Sequence, residues 1–542
     1  MDKKYNYTLP LLFALVAIAS MFLGARFSAT FQRDTVETGP SKKFDEVLHY
    51  VNEEYVDTPK DNKLVEGAIE SMLSKLDPHS SYIPARDREE ADEKLTGNFE
   101  GIGIVFNILN DTIVVETPLP GGPSEQRGIK AGDRIVKIEG KKVAGVGFKN
   151  EDVVKNLRGP HGTKVNITIY RPNEKKTIDF TVTRDVIPIY SIDASYMAAP
   201  GVGYIKINSF GAHTFEEFQT AIKKLKTQGL KSLILDLQNN PGGYLNSATD
   251  IADEFLDNNK LIVYTQGRVH PKETYTATAK GDFEKGKLVV LIDEGSASAS
   301  EIVTGALQDW DRAIVIGRRS FGKGLVQQPF RLSDGSELHL TIARYYTPSG
   351  RCIQRSYAKG TESYYDDVTK RFSRGELESK DSIKLTDTLK YHTHNGRVVY
   401  GGGGITPDIF VPLDTTGNND YMLKLYTKGV LIDFVIYYMD RNRADIAAKY
   451  KDFNAFDAGF NPDNKTMQSF ENFATGHGVK DNIKEFNLSK KLIATQIKAL
   501  VARQLFKSDG FYEILNEDNG TFKKALEVLQ DDKDFDKMKI NY

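Results

Sequence analysis

Cysteine is almost missing from this sequence. One residue, Cys352, in a chain of 542 excludes an intrachain disulfide framework and any multi-cysteine metal site. Compartment therefore cannot be read from thiol usage. An excess of one charge is also missing: 72 Lys and Arg stand against 74 Asp and Glu, a formal net charge of −2. Without a basic excess there is no electrostatic footprint for a nucleic-acid partner. What remains is the composition of an ordinary folded protein, 40% hydrophobic and 27% charged. The chain is too long for one core and calls for roughly three or four domains.

The uncharged apolar run "LPLLFALVAIASMFLGA" occupies residues 9–25, preceded by Lys3 and Lys4 and closed by Arg26. Its length is at the lower limit for a spanning helix and long for a signal-peptide core. Positive charge ahead of it predicts a cytoplasmic N-terminus and export of the chain beyond the run. Arg26 and Phe27 stand where signal cleavage wants small residues. Residues 1–27 are thus expected to act as an uncleaved membrane anchor in preference to a cleaved signal. The working domains are expected on the extracytoplasmic, periplasmic side of the cell envelope, where ATP is not available.

Residues 28–95 read as a tether followed by two short helices, with Phe44, Val47, Leu48 and Val51, then Leu64, Ala68, Ile69 and Met72, at helical spacing. From 96 to 184 the pattern changes to alternating strands split by glycine-rich turns, with one helix near "EDVVKNLRG". Its pattern "FEGIGIVF…PGGPSEQRGIKAGDRIVKIEGKKV" resembles a PDZ domain. The resemblance implies that the loop Gly101, Ile102, Gly103 and Ile104 presents backbone N–H groups to a peptide's terminal carboxylate. The next strand would then pair with the peptide. "PSEQRG" departs from the usual alanine-rich stretch, which touches only side-chain preference.

Residues 185–413 alternate apolar strand runs with amphipathic helices, which predicts a largely parallel sheet covered on both faces. Residues 414–542 are expected to form a helical extension with Leu492, Ile493, Ile497, Leu500, Val501 and Leu505 on one stripe. No chemistry is legible there.

In open parallel sheets, sites form beyond the carboxyl ends of strands. "NNPGG" after Leu237, "EGSASA" after Asp293 and "RRSFGKG" after Gly317 are such loops, and neighbouring strands would bring them to one crevice. The middle loop holds Ser296, Ser298 and Ser300. A serine nucleophile needs a base. Of the nine histidines, none occupies one of these three loops: His270 is distant from the strand ends, His339 alternates within a strand, and His392 and His394 lie in a polar loop. Lys323, between two glycines and next to Phe321, is better placed, since desolvation would supply a neutral amine. Ser298 and Glu301 form an S-x-x-E capping box, which makes Ser298 the first position of a helix. That end carries unpaired N–H groups suited to an oxyanion. Ser296 sits in the loop and Ser300 in the first turn, so position favours the middle serine without excluding the others.

"LDPHSSY" (76–82), the PDZ-like module, "DLQNNPGG" (236–243), "GSASASEI" (295–302), "FGKGLVQ" (321–327), "YYTPSGRCIQ" (345–354) and "GGGGITPD" (401–408) succeed one another in this order. Together they resemble the carboxyl-terminal processing proteases, the tail-specific serine peptidases. That resemblance implies a ClpP/crotonase-like α/β core with an inserted PDZ module. It implies Ser298 as nucleophile, Lys323 as base and Gln327 holding the lysine. The oxyanion hole would use the N–H of Ala299 and of Gly242 or Gly243, and Arg158 would couple peptide binding to the active site. The expected partners are proteins or peptides with free C-termini, and the membrane through the N-terminal segment. No metal, nucleotide or organic cofactor is implied, and oligomerisation is left open. Two other classes compete: a catalytically inactive PDZ scaffold on a protease-like core, which intact Ser298, Lys323 and Gln327 oppose, and a crotonase-like acyl-CoA enzyme, which export and a PDZ module oppose.

Overall fold

The computed structural model describes residues 13–14, 16–18, 20–21, 39–59, 61–119, 121–172, 174–383, 390–480 and 482–542. The apolar run at 9–25 lies mostly outside them. Among the described residues no helix is long and apolar enough to cross a membrane. The chain divides into two units, residues 1–72 and 73–542. In the first, helix α1 (Pro40–Glu54) starts on a proline and has no buried residue; α2 (Asp61–Leu73) comes after it.

In the second unit, α3 (Arg88–Thr96) ends on Gly97 in the left-handed conformation. The PDZ domain comes next, with strands β1 (Ile104–Ile108), β2 (Ile113–Pro118), β3 (Arg134–Ile138), β4 (Lys164–Arg171) and β5 (Lys176–Thr183) and helix α4 (Asn150–Leu157). Its strands run in the order β1-β2-β3-β4-β5, so β1 is an edge. Ahead of β1 the chain forms a separate short strand, Asn98–Gly101. Asn98–Gly101 pairs with Asp185–Pro188, tying the module's entry to its exit. Alternation sends Ile113, Val115, Ile135, Ile167 and Ile169 into its core, with Val153 and Leu157 of α4 packed on them.

The core that follows is an α/β fold built on one six-stranded sheet. Its strands are β6 (Ile192–Ala199), β7 (Val202–Ile207), β8 (Ser232–Asp236), β9 (Leu288–Ile292), β10 (Ile314–Gly317) and β13 (Ile409–Phe410), adjacent in that order. β6 and β7 are antiparallel; every later pairing is parallel. The runs are largely apolar because both faces are covered, and the charged Lys206 and Asp236 near two strand ends pair with each other at 3.2 Å. Leu233, Leu235, Val290 and Ile292 meet α5 (Thr214–Thr227), α6 (Leu245–Asp253) and α7 (Ala299–Asp309). Ile234, Val289, Leu291 and Ile316 face the other way, onto Phe522, Ala525 and Val528. "LHLTIARYY" forms β12 (Glu337–Tyr346), which belongs to a second sheet with β11 (Leu325–Arg331) and the strand Ser81–Ile83.

The C-terminal extension supplies that second cover. Its own core packs α8 (Val430–Lys449) against α9 (Ile483–Asn516), including the stripe Ile493, Ile497, Leu500 and Val501. α9 is broken at Phe506 and Lys507, where φ is −124° and 62°. Beyond the break Asp509, Tyr512 and Asn516 bond the core through the Ser195 amide, Asp193 and the Tyr196 hydroxyl at 2.8, 2.7 and 2.8 Å. α10 (Gly520–Leu529) then lies on the sheet. α8 also holds the back of the PDZ domain: the Asn107 amide donates to Asp433 at 2.7 Å, Arg134 pairs with Asp440, and Ile436 packs on Leu109 and Val114.

Candidate active site

The loops after β8, β9 and β10 meet. The Asn239 amide donates to Asp293 at 2.8 Å, Ala297 N–H to the Asn240 carbonyl at 2.9 Å, and Phe321 N–H to the Ser296 carbonyl at 2.9 Å. Beside them lies a cleft of about 850 Å³, lined among others by Gly242, Gly243, Ser298, Lys323 and Gln327.

The three serines separate by what their hydroxyls do. Ser296 Oγ is fully buried and donates to the Leu237 carbonyl at 2.8 Å; Ser300 Oγ, also buried, donates to the Asn240 carbonyl at 2.9 Å. Both are struts between the first two loops. Ser298 alone of the three lines the cleft. Its backbone sits at φ 54°, ψ −113°, outside the ordinary regions for a non-glycine residue, a conformation that persists only when the surroundings impose it.

Glu301 is what imposes it. Its buried carboxylate accepts from Ser298 N–H at 2.9 Å, Lys323 N–H at 2.9 Å, Gly322 N–H at 2.7 Å and Ser320 Oγ at 2.5 Å. Ser320 Oγ itself accepts from Ile405 N–H at 2.6 Å, so its proton points to Glu301. Three of the four donors are backbone N–H groups that can only donate, which favours the carboxylate form, while burial pushes the Glu301 pKa up. The capping partner read from S-x-x-E thus ties the serine loop to the lysine loop. Tyr345 ties them again: its hydroxyl donates to the Lys323 carbonyl at 2.8 Å and lies 3.2 Å from the Ser298 carbonyl.

Both glycines of the Pro-Gly-Gly turn are required. A Cβ on Gly242 (φ 97°) would lie 2.8 Å from Ala299 N and from Ser298 Cβ; one on Gly243 (φ 150°) would lie 2.1 Å from the Phe210 carbonyl oxygen. Their N–H groups differ. That of Gly242 donates to the Asn240 side chain at 2.8 Å. Those of Gly243 and Ala299 have no acceptor among the described residues.

Burial pushes the Lys323 pKa down from its ordinary value, against the opposing charges of Glu301 and Asp77. Gln327 lines the cleft, but its amide donates to Thr341 Oγ1 at 3.2 Å and makes no hydrogen bond to Lys323. Thr341 in turn donates to Asp77 at 3.0 Å. Asp77 also accepts from His79 N–H, Ser80 N–H and Ser80 Oγ at 2.8, 2.9 and 2.6 Å. His79 contacts the Tyr364 hydroxyl at 3.0 Å, and burial, then the Lys323 charge, lower its pKa to about 4. Sequence reasoning missed Asp77, His79 and the linking role of Glu301. "LDPHSSY" held the first two, but nothing local says that a turn some 240 residues earlier reaches the lysine.

In the PDZ domain, Ile102 is buried and its carbonyl accepts from Ser124 N–H and Oγ at 3.1 and 2.6 Å. Gly103 has φ 70°, with Ile187 and Pro123 close by, and Ile104 opens the edge strand β1. Gly101 packs beside Phe99 and Arg158. Arg158 pairs with Glu93 of α3 and stacks 4.6 Å over the Phe99 ring. Asp92, the residue before Glu93, lines the cleft that holds Ser298. Among the described residues no acidic, histidine or cysteine cluster could hold a metal ion.

Comparison with known proteins adds four family matches: peptidase family S41 over residues 201–363, a PDZ domain over 101–182, the N-terminal domain of the activating protease CtpB over 24–87, and a family of unknown function over 421–507. A carboxy-terminal-processing protease of Bartonella bacilliformis is 39% identical over 347 residues, 62% of this chain and 79% of that protein. The carboxy-terminal processing protease CtpB of Bacillus subtilis is 35% identical over 366 residues, 67% of this chain and 75% of that protein.

Proposed function

The chain belongs to peptidase family S41, the carboxy-terminal processing proteases, and on that premise we propose that it cuts proteins near their C-termini by a Ser-Lys acyl-enzyme route. The observation that carries this is Ser298, held in a strained conformation in the cleft that Gly243 and a half-buried Lys323 also line.

In this reading the neutral Lys323 amine takes the proton from Ser298 Oγ as that oxygen attacks the scissile carbonyl carbon. The negative charge that develops on the carbonyl oxygen is met by Ala299 and Gly243 N–H, since Gly242 N–H is already engaged. Lys323 then gives its proton to the departing amine. A water, deprotonated by the same lysine, releases the acyl group and restores the serine. Gln327 acts through Thr341 and Asp77 and not by direct contact with the base. The PDZ loop Gly101–Ile104 receives the substrate's terminal carboxylate and the open edge of β1 pairs with its tail. Arg158, bonded to α3, links that event to the cleft. The run at 9–25, behind Lys3 and Lys4, holds the enzyme in the membrane with its domains outside the cytoplasm.

The test is incubation of purified protein with an unfolded substrate. Cleavage that disappears in Ser298→Ala, while the variant keeps its melting temperature and still binds, supports the reading. Equal cleavage by Ser298→Ala excludes it. A substrate amidated at its C-terminus should be cut several-fold more slowly at low concentration.

A further inference from the structure

Asn110 and Asp111 make the turn between β1 and β2 of the PDZ domain, both at positive φ, and Leu109 and Thr112 on either side exchange hydrogen bonds at 2.9 and 3.1 Å. The backbone of Leu109 is therefore turned towards β2. The Gly103 carbonyl, which accepts from Leu119 N–H at 3.0 Å, is turned the same way. Backbone groups alternate in direction along a strand, so those of Ile104, Phe106 and Ile108 face the open edge. A peptide tail added there meets three rungs. With its carboxylate in the Gly101–Ile104 loop, its last residue stands opposite Ile104, its third from last opposite Phe106 and its fifth from last opposite Ile108.

The third rung is already taken. Ile108 N–H donates to Asn107 Oδ1 at 2.9 Å. That N–H can only donate, so the oxygen of the Asn107 side chain must face it, which leaves the amide nitrogen for another partner. The partner is Asp433 of α8, at 2.7 Å. Among the described residues no side chain accepts from the N–H of Ile104 or Phe106. Nor is Asp433 an isolated contact. Asn107 lies opposite Val114 in the ladder and so shares its face. That face is the one α8 covers, since Ile436 packs on Leu109 and Val114 and Asp440 pairs with Arg134.

Resting on the tail-reading role given to the PDZ domain above, we propose that Asn107, held by Asp433 of the C-terminal extension, is a stop that ends backbone pairing of the substrate's tail after two rungs. A tail carbonyl brought to Ile108 meets the Asn107 oxygen, acceptor against acceptor. It can enter only by turning Asn107 away from both of its partners. The last four residues are thus read along the edge, and the chain upstream leaves it. Asp433 acts through Asn107 and does not itself touch the tail.

The test is binding of N-terminally labelled peptides with free C-termini, three, four, six and eight residues long, to the full chain carrying Ser298→Ala. Affinity should rise up to four residues and change by less than about twofold beyond. Replacing the backbone amide of the third-from-last residue by an ester should weaken binding about threefold to tenfold, the worth of one hydrogen bond, and the same change at the fifth from last should have no effect. Neither measurement needs a change in the PDZ domain. Asn107→Ala and, separately, Asp433→Ala should each make the six-residue peptide bind about threefold to tenfold more tightly than the four-residue one. Affinity that keeps rising beyond four residues without these substitutions, equal ester effects at the two positions, or a length profile that neither substitution alters overturns the stop alone. A peptide amidated at its C-terminus that binds as tightly as the free acid overturns the tail-reading role with it.

Discussion

The two ends of the sheet's design differ in kind. Where β8, β9 and β10 end, a serine is held at φ 54°, two backbone N–H groups have no acceptor among the described residues, a lysine is half-buried and a glutamate is fully buried. Where α10 covers the sheet, Phe522, Ala525 and Val528 meet Ile234, Val289 and Leu291 with apolar contacts alone. A strained serine costs of order 1–3 kcal/mol, and the penalty is borne because the surrounding packing over-determines the backbone. Chemistry is thus concentrated in three loops, and the stability that holds them is spread through the helices. The extension belongs to the second category: it carries no site residue of its own, yet it completes the sheet and grips the PDZ domain.

The sharpest way to break this contrast is Lys323→Arg. An arginine keeps the charge and cannot lose its proton here, so turnover should fall by about 10² to 10⁴ if the lysine is a base. A role limited to charge predicts retained activity. Because burial lowers the Lys323 pKa, activity of the intact enzyme should rise with pH as the amine deprotonates. The unfolded chain binds the proton more tightly than the folded one, so the lysine's contribution to stability also rises with pH, up to the unfolded value near 10.4. Lys323→Met should therefore raise the melting temperature at pH 7 while ending turnover.

Glu301→Gln should come next, at roughly 100-fold in kcat. It replaces one acceptor with an amide that points hydrogens at existing donors, which shifts both loops. If Glu301 served only as a helix cap, kcat would hardly change and only the melting temperature would drop. On the other side of the sheet, Phe522→Ala should cost about 3–5 kcal/mol in denaturant unfolding through the cavity it leaves, with turnover retained under conditions where the variant is folded. A comparable loss of kcat would show that the cover is part of the catalytic apparatus. The smallest effect is expected from Ser300→Ala. It removes one strut hydrogen bond, worth about 1 kcal/mol, and should leave most of the activity, in contrast to Ser298→Ala.

Much of the fold was legible because its causes are local. Apolar runs such as "LVVLI" alternating with amphipathic helices require a covered parallel sheet, and strand ends place loops on a common edge. The stripe from Ile493 to Val501 was readable for the same reason, and S-x-x-E marked the start of α7. Features that depend on distant partners could not be read. The extension's role as the sheet's second cover needs contacts between Phe522 and Ile234, far apart in the chain. The break in α9 at Phe506 has no proline to announce it, and Gly510, where a Cβ would lie 2.8 Å from Phe506 Cβ, shows its purpose only once the two residues are packed together.

The sequence by itself determined which residue types could do chemistry here, because a serine on a helix start and a lysine between glycines keep those properties wherever the loops come to rest. Only the tertiary structure distinguishes the three serines, since Leu237 and Asn240 engage the hydroxyls of Ser296 and Ser300. It also distinguishes the two glycines, since the Asn240 side chain engages Gly242 N–H while that of Gly243 has no acceptor among the described residues. And it decided the environment of the lysine, to which Asp77, His79 and Glu301 contribute from separate segments. Hydrogen bonds are exclusive and burial is collective, so neither can be assigned until the whole chain has folded.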